Sequence, residues 1–282
     1  MREFIAASVQ ITVQPHAFRE NLEKICAWHE QAVRECHAEL VVFPESVTSG
    51  FHPAMSARAF RRLIPKDLDT YLRPLCRLTR ATRSYCVLST YERGRGPGQV
   101  YNSALLIGAD GGIVGTYRKT HPFPTEQVRR GGWTTPGRQA PVFATGLGTI
   151  GIIICYDGDF PELTRALAVQ GAEIIARPSA FLRNFEIWDM TNRARAYENN
   201  LYMVAANAIG SDAAGNQYYG HSMIVSPAAD KLALARSGEE IIYARLAPRL
   251  LGRGTARSRV PRIVDHLGDR NVASYHPHLL QP

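Results

Sequence analysis

Hydrophobic residues along the 282-residue chain follow two spacings that predict different elements. Apolar runs of roughly four to eight residues are typical of buried β-strands, and apolar positions three or four residues apart are typical of amphipathic helices. Strands are predicted at residues 4–11, 40–43, 85–91, 100–107, 113–117, 149–155, 173–176, 201–207, 219–226 and 240–246. Helices are predicted at residues 17–38, 161–170 and 185–199. Strands and helices therefore alternate along much of the chain.

Turn residues indicate how these elements are joined. Residues 109–112 (Ala-Asp-Gly-Gly) lie between two predicted strands and are typical of a β-hairpin. Gly171 stands where the preceding helix should end. A hairpin within an alternation of helices and strands predicts mixed sheets. We find no internal repeat and no break in composition before the C-terminal segment, so we expect one α/β domain.

Positive charge is concentrated near the C-terminus. The chain has 33 basic and 25 acidic residues and a formal net charge of +8. Residues 245–282 contain seven Arg, no Lys and two acidic residues, so most of the excess lies in this segment. An overall basic composition can indicate binding to nucleic acid. Because the excess here belongs mainly to one end of the chain, we expect no nucleic-acid partner.

The remaining composition is that of an ordinary globular protein. Hydrophobic residues make up 45% and charged residues 21% of the chain, unlike a disordered sequence. No apolar run approaches the roughly 20 residues that span a bilayer, and the N-terminal residues do not resemble a secretion signal. The five cysteines are odd in number and far apart, which argues against a disulfide framework. We therefore expect no membrane partner and a cytoplasmic location.

Cys155 is a candidate nucleophile because of its place in the predicted elements. It ends the most strand-like run of the chain and is followed by a glycine-containing turn and a helix. Such a turn places the side chain in a cleft that the unpaired N–H groups of the helix face. We expect an acidified, exposed thiol there, as nucleophilic catalysis requires. A free cysteine is more often a small buried hydrophobic residue, so Cys155 alone does not identify a function.

Two ionisable residues also follow predicted strands. Glu45 comes after a buried strand, where a carboxylate is costly unless it is paired or functional, although it could simply cap a turn. Lys119 follows another strand and is one of only four lysines in the chain. Its compact ammonium can stabilise both a thiolate and a developing oxyanion, although an ordinary surface lysine is the alternative. Glu45, Lys119 and Cys155 thus combine a base, a cation and a nucleophile.

A Glu, a Lys and a Cys in this order resemble the catalytic triad of the nitrilase or carbon–nitrogen hydrolase superfamily. The matching motifs are VVFPES around Glu45, YRKTHPF around Lys119 and IGIIICYDGDFPE around Cys155. Supporting matches are RARAYENN, MVAANAIG and GHSMIV. The resemblance covers residues 4–246, and three independent motifs in the right order make chance similarity improbable.

The resemblance implies a fold and an assembly. The family fold is a four-layer αββα sandwich with two mixed β-sheets, which we expect to occupy residues 1–246 as a single domain. Residues 247–282 would form an Arg-rich C-terminal arm at a subunit interface. We expect a homodimer or a higher homo-oligomer. The helix that begins at Phe185 is a candidate for the interface, and the alternative is that it only packs on its own sheet.

The resemblance also implies roles for individual residues. Cys155 would attack an amide carbonyl, and Glu45 would be the general base. Lys119 and the backbone N–H of Tyr156 would hold the oxyanion, and Glu126 occupies the place of a second glutamate that the family often has. No metal and no cofactor is expected. The nearby acidic residues lack the spacing of a calcium site and are expected to shape the turn and cap the helix after the nucleophile; they are Asp157, Asp159 and Glu162.

The residues after Cys155 resemble the amidase branches, since the Trp-Glu pair usual in nitrilases is missing. We therefore expect hydrolysis of a small linear, non-peptide amide to a carboxylic acid and ammonia through a thioester. The alternative is an N-carbamoyl amino acid amidohydrolase, in which Arg177 or Arg183 would bind the substrate carboxylate, although either could equally pair with an acidic neighbour. Tyr156, Arg177 and Trp133 are assigned to substrate binding. Acyl transfer and an inactive binding module are further alternatives.

Overall fold

Two six-stranded β-sheets lie face to face in the computed structural model, which describes residues 1–248 and 265–275. The strands are β1 (Phe4–Gln10), β2 (Leu40–Val42), β3 (Tyr85–Arg93), β4 (Val100–Ile107), β5 (Ile113–Arg118), β6 (Val142–Ala144), β7 (Thr149–Ile152), β8 (Ile174–Ser179), β9 (Tyr202–Asn207), β10 (Ile209–Ser211), β11 (Gln217–Tyr219), β12 (Met223–Val225), β13 (Lys231–Leu234) and β14 (Glu240–Leu246). The helices are α1 (Phe18–Cys36), α2 (Ala57–Leu63), α3 (Leu68–Thr82), α4 (Pro161–Val169), α5 (Phe185–Asn199) and α6 (Val272–Tyr275). Two 3-10 turns cover Val128–Arg130 and Cys155–Asp159.

Both sheets are mixed, as the hairpin signal predicted. The first has the order β14-β1-β2-β3-β4-β5, with β1, β2 and β3 parallel and the other pairs antiparallel. The second has the order β13-β12-β9-β8-β7-β6, with β7, β8 and β9 parallel. Helices α1 and α3 cover the outer face of the first sheet, and α4 and α5 cover that of the second. The predicted α/β sandwich of four layers is therefore confirmed.

The central strands are apolar on both faces because each face is covered. In β2, Leu40 and Val42 belong to the hydrophobic cluster between the sheets, and Val41 belongs to the cluster beneath α1 and α3. Successive side chains of a strand point to opposite faces, so a run without polar residues fits a strand buried on both sides. This packing explains why the strands could be recognised as continuous apolar runs.

Helices α2 and α3 were not predicted from the hydrophobic pattern. Helix α3 contains Pro74, which removes a backbone donor in a helix interior and is a strong signal against a helix. The helix nevertheless forms, because Asp67 caps its N-terminus with bonds to two backbone N–H groups and Leu72 and Leu75 are buried against α1 and the first sheet. Tertiary packing outweighs the local penalty of the proline.

Two predicted strands end differently in the structure. The strand predicted at residues 149–155 stops at Ile152, and Cys155 begins a 3-10 turn with φ +48°. The strand predicted at residues 219–226 is divided between β11 and β12, because Gly220 (φ +78°) and His221 (φ +58°) turn the backbone between them. Apolar residues continue past Ile152 to Cys155, so the pattern alone could not show where pairing stops in the first case. In the second case the break falls at the non-apolar residues Gly220 and His221.

Part of the Arg-rich segment contacts its own domain. Arg165 of α4 donates a hydrogen bond to the carbonyl of His266 (2.9 Å), and His266 Nδ1 lies 3.1 Å from the carbonyl of Tyr197 in α5. Residues 249–264 and 276–282 lie outside the described residues. The placement of the arm at a subunit interface stays a prediction. Within residues 1–248 and 265–275, no helix is long and apolar enough to cross a bilayer.

His29 of α1 makes the stability of the fold sensitive to acid. Its ring is fully buried, its Nε2 lies 2.8 Å from Ser84 Oγ, and burial lowers its pKa to about 4. The unfolded chain binds a proton at this residue near pH 6.5, whereas the folded chain does not until about pH 4. The contribution of His29 is therefore complete above pH 6.5 and is lost as the pH falls towards 4.

We expect the proton linkage of His29 to lower the free energy of unfolding by up to about 3 kcal/mol between pH 7 and pH 4. Urea unfolding of the wild type and of His29→Gln at pH 7, 5.5 and 4.5 measures the effect. The variant should be less stable at pH 7 but lose less stability on acidification. Parallel pH dependences for the two proteins would show that His29 is not responsible.

Candidate active site

The predicted catalytic residues lie where strands from both sheets end. Glu45 follows β2 by three residues and Lys119 follows β5 directly, both in the first sheet. Cys155 follows β7 of the second sheet by three residues. All three side chains are buried. The two sheets therefore supply the site jointly.

The ammonium of Lys119 lies between two carboxylates. Its Nζ donates to Glu45 Oε1 (2.7 Å) and to Glu126 Oε2. Asn102 of β4 connects the same two carboxylates, since its Nδ2 donates to Glu45 Oε1 (2.7 Å) and to Glu126 Oε1 (3.0 Å). The structure thus brings Glu126, predicted by resemblance, into one network with Glu45 and Lys119.

Backbone groups hold both carboxylates in place. The Ala180 N–H, just after β8, donates to Glu45 Oε2 (2.9 Å). The Phe123 N–H donates to Glu126 Oε2 (2.7 Å), and Thr134 Oγ1 donates to Glu126 Oε1 (3.3 Å). Each carboxylate therefore has donors on both oxygens, which is what a buried charge requires.

Burial and mutual attraction act in opposite directions on these charges. Burial tends to lower the pKa of Lys119, but the carboxylates of Glu126 and Glu45 outweigh it and hold that pKa well above its usual value. Burial and the charge of Glu45 raise the pKa of Glu126, and Lys119 opposes them. The lysine is therefore a permanent cation at neutral pH.

The thiol of Cys155 is neither exposed nor acidified, contrary to the expectation from sequence. The residue is only 6% exposed. Burial raises the pKa of Cys155 well above its usual value, and Glu45 raises it further. Lys119, Arg177 and a hydrogen bond from the Ala180 N–H lower it without compensating. The resting side chain is thus a neutral thiol, which needs a base before it can attack.

Cys155 lines a narrow pocket. Its free volume is about 10 Å³, close to what one water molecule needs. The other lining residues are mainly aromatic and apolar, with one cation: Phe51, Phe123, Tyr156, Ala180, Phe181, Leu182 and Arg183. A larger surface groove of about 740 Å³ shares none of these residues. Because Cys155 lines only the smaller of these two pockets, we place the candidate active site there.

The residues predicted to bind substrate are distributed differently. Tyr156 and Arg183 line the Cys155 pocket, whereas Trp133 and Arg177 do not. Trp133 is buried and packs edge-on against Phe51 and His52. Arg177 is fully buried behind Cys155, and its guanidinium donates to the Cys155 carbonyl. The prediction that Arg177 meets a substrate carboxylate does not fit this position.

Asp157 joins the segment that carries Lys119 to the turn that carries Cys155. Its buried carboxylate accepts bonds from Tyr117 Oη (2.7 Å) and the His121 N–H (2.9 Å) on one side. On the other side it accepts from the Ile154 N–H (2.8 Å). The expected role of Asp157 in shaping the turn therefore extends to the segment that carries Lys119.

Sequence reasoning missed Asn102. It is a buried amide next to the buried Ser103 in strand β4, and polar residues inside a predicted buried strand are the only signal that could have singled it out. Nothing in the local pattern shows that two distant carboxylates need it, because Glu45 and Glu126 reach Asn102 only in the folded chain.

Residues 5–253 match the carbon–nitrogen hydrolase family. The deaminated glutathione amidase of Rattus norvegicus is 34% identical over 254 residues, which cover 86% of this chain and 76% of that protein. The omega-amidase of Saccharomyces cerevisiae is 29% identical over 254 residues, or 87% of each chain. Among solved structures, a carbon–nitrogen hydrolase from Helicobacter pylori has a TM-score of 0.85 at 25% identity and covers 99% of each chain. An amidase from Nesterenkonia sp. has a TM-score of 0.80 at 25% identity, covering 96% of this chain and 95% of its own.

Replacing Asp157 by asparagine tests the connection between the two segments. The new side chain would place an amide NH₂ group among donors, leaving at least one buried donor without an acceptor. We expect the free energy of unfolding of Asp157→Asn to fall by about 2–3 kcal/mol, measured by urea denaturation. Asp110→Asn makes the same chemical change in the exposed hairpin turn and should stay within about 0.5 kcal/mol of the wild type. Equal effects at the two positions would contradict the assigned role of Asp157.

Proposed function

Since the chain belongs to the carbon–nitrogen hydrolase family, we propose that it is an amidase that hydrolyses a small linear, non-peptide amide through a thioester on Cys155. The observation that carries the proposal is the buried network of Glu45, Lys119 and Glu126 beside the pocket that Cys155 lines. The amidase names of the relatives from rat and yeast agree with this chemistry.

The first step is attack by the Cys155 sulfur on the amide carbonyl carbon. Because the resting thiol is neutral, its proton must move as the bond forms, and Glu45 is the carboxylate whose charge acts most strongly on this thiol. The carbonyl oxygen becomes an oxyanion, which the Lys119 ammonium and the backbone N–H of Tyr156 would stabilise. Tyr156 lies in the first turn of the 3-10 segment, where backbone N–H groups lack helical acceptors.

The second step breaks the carbon–nitrogen bond. Glu45 returns the proton to the leaving nitrogen, ammonia departs, and an acyl thioester remains on Cys155. Water then adds to the thioester while Glu45 accepts its proton. Collapse of this second intermediate releases the carboxylic acid, and the proton passes to the sulfur. Glu45 therefore serves as the base in both half-reactions.

Glu126 acts on this cycle through Lys119. It anchors the ammonium from the side opposite Glu45, so Glu45 does not have to neutralise the lysine alone. We expect Glu126→Gln to lower kcat by on the order of 100-fold, because Lys119 would shift towards Glu45 and weaken both the base and the oxyanion contact. Ammonia release from a panel of short aliphatic amides measures the effect.

Two further variants complete this experiment. Glu162→Gln makes the same change at an exposed residue of α4 and should keep the wild-type rate, and Cys155→Ser defines the background. Thermal unfolding verifies that each variant is folded. Wild-type turnover by Glu126→Gln would refute its role. Wild-type release no greater than that of Cys155→Ser across amides and N-carbamoyl amino acids would refute the amidase proposal.

A second candidate substrate class is an amide or N-carbamoyl compound that carries a carboxylate. Arg183 is the one cation among the residues that line the Cys155 pocket, and its side chain is 30% exposed. Its Nη2 donates to Asp159 Oδ1 (2.7 Å), and its guanidinium lies over the Phe181 ring (4.6 Å). The fork of the guanidinium retains donors that a carboxylate could accept.

Arg183→Met separates the two substrate classes. If Arg183 binds a substrate carboxylate, KM for N-carbamoyl amino acids should rise roughly 10- to 100-fold, the loss of a hydrogen bond to a charged group. KM for neutral amides should change by less than about twofold. Steady-state kinetics on matched neutral and carboxylate-bearing substrates makes the comparison, with Arg193→Met on the exposed side of α5 as the control. Equal changes for both classes would contradict carboxylate recognition by Arg183.

A further inference from the structure

We propose that Arg177 is a positioning residue that holds the Cys155–Tyr156 peptide so that the Tyr156 N–H faces the substrate oxygen. This inference rests on the proposed amidase function, because it assigns the control of one oxyanion donor. It differs from the prediction made for this residue from sequence, in which Arg177 touched the substrate itself.

The guanidinium of Arg177 binds the backbone carbonyl of Cys155. Nη2 lies 2.8 Å and Nε 3.2 Å from the Cys155 oxygen, so two donors meet on one acceptor. The remaining nitrogen donates to Thr191 Oγ1 (3.0 Å) and Asn192 Oδ1 (2.8 Å) of α5. Helix α5 therefore fixes the arginine, and the arginine fixes the carbonyl.

Because a peptide unit is planar, fixing the Cys155 carbonyl also fixes the direction of the Tyr156 N–H. In a trans peptide the C=O group and the following N–H group point in opposite directions within one plane. Holding the Cys155 carbonyl towards Arg177 therefore turns the Tyr156 N–H away from Arg177. Tyr156 and Cys155 both line the pocket, whereas Arg177 does not. A cation on the carbonyl also polarises the peptide and makes its N–H a stronger donor.

The conformation at Cys155 needs such support. Its φ of +48° lies in the left-handed region, which non-glycine residues seldom adopt outside sites where the surroundings enforce it. Gly158 leaves the space that the guanidinium occupies, since a Cβ there would lie 2.2 Å from Arg177 Cζ. The turn residue and the arginine are thus fitted to each other.

Arg177 is also a costly residue to bury. Its three nitrogens donate to a carbonyl, a hydroxyl and an amide oxygen, and no carboxylate pairs with it among the described residues. Its guanidinium lies over the ring of Trp188 (4.9 Å). Burial lowers its pKa to about 10, so it remains charged at neutral pH. Asp159 attracts this charge without forming a direct ion pair with it. A buried charge with no directly paired carboxylate is typical of functional sites.

The test separates the oxyanion donor from the reactivity of the thiol. The charged and titratable groups that act on Cys155 come from several elements: Glu45, Lys119, Arg177, Arg183 and Tyr219. Methyl methanethiosulfonate reacts with the thiolate and has no carbonyl oxygen to place in the oxyanion site. The aldehyde analogue of the best amide substrate adds to the sulfur and does place an oxygen there.

We expect Arg177→Met to lower kcat roughly 10- to 100-fold and to weaken aldehyde binding by a similar factor, somewhat less than deletion of an oxyanion donor. Because the charge of Arg177 also lowers the pKa of the Cys155 thiol, Arg177→Met should slow thiosulfonate modification and raise its pH midpoint as well. Arg177→Lys keeps the charge but replaces the planar fork of donors by a single ammonium, so its thiosulfonate rate should stay within about threefold of the wild type while only part of kcat and of aldehyde affinity is restored. Arg195→Met is the matched control, because Arg195 donates to the Gly158 carbonyl of the same turn and not to Cys155. It should lower stability while kcat stays within about threefold of the wild type.

Thr191→Val provides a second variant should Arg177→Met fail to fold. It is nearly isosteric, adds no charge and removes one of the two oxygens to which Arg177 Nη1 donates, so kcat and aldehyde affinity should both fall about threefold to tenfold in a folded protein. Parallel losses in kcat and in thiosulfonate reactivity in Arg177→Lys would overturn the proposal, since Arg177 would then act through the thiol alone. Unchanged kcat in a folded Arg177 variant would overturn it as well. Ammonia release by the wild type no greater than by Cys155→Ser would instead refute the amidase function, and this inference with it.

Discussion

The buried ammonium of Lys119 between Glu45 and Glu126 is the interaction on which the rest of the site depends. Removing one partner from a buried ionic group typically costs on the order of 3–5 kcal/mol, because the remaining charge is left in a low-dielectric interior. The fold must therefore deliver all three charges together. Strands β2 and β5 end at the same edge of one sheet, Glu126 returns to that edge, and Asn102 of β4 joins the two carboxylates.

The second sheet supplies Cys155, the proposed nucleophile, and polar contacts fix it relative to these charges. Asp157 connects the Cys155 turn to the segment after β5, and the Ala180 N–H connects Glu45 to the end of β8. Arg177 holds the turn from behind. A neutral thiol in this setting is consistent with proton transfer during attack, since burial opposes a standing thiolate and Glu45 is close enough to raise the thiol pKa.

Sequence reasoning succeeded where one physical requirement dominated a segment. Strands β4 and β14 and helix α5 have the predicted boundaries. In each of them the hydrophobic spacing identifies the element, and neighbouring residues indicate where it begins and ends. It failed where requirements competed. Pro74 argues against a helix, although α3 forms around it. The apolar residues before Cys155 do not show where the strand ends and the 3-10 turn begins, since a strand and a buried turn are equally hydrophobic there. The prediction of an acidified Cys155 thiol is also wrong, because burial raises the pKa of this thiol more than the nearby positive groups lower it.

The sequence by itself determined the class of fold and the order of Glu45, Lys119 and Cys155, since each lies in a motif or hydrophobic run that is readable over a few neighbouring residues. Glu126 was predicted only from the resemblance to the family. Only the tertiary structure decided which polar residues meet across the two sheets. Asn102 reaches both carboxylates, Asp157 joins two segments, and Arg177 faces the back of the nucleophile rather than the pocket. These contacts join residues far apart in the chain, and the direction of a buried side chain depends on neighbours that only packing brings near.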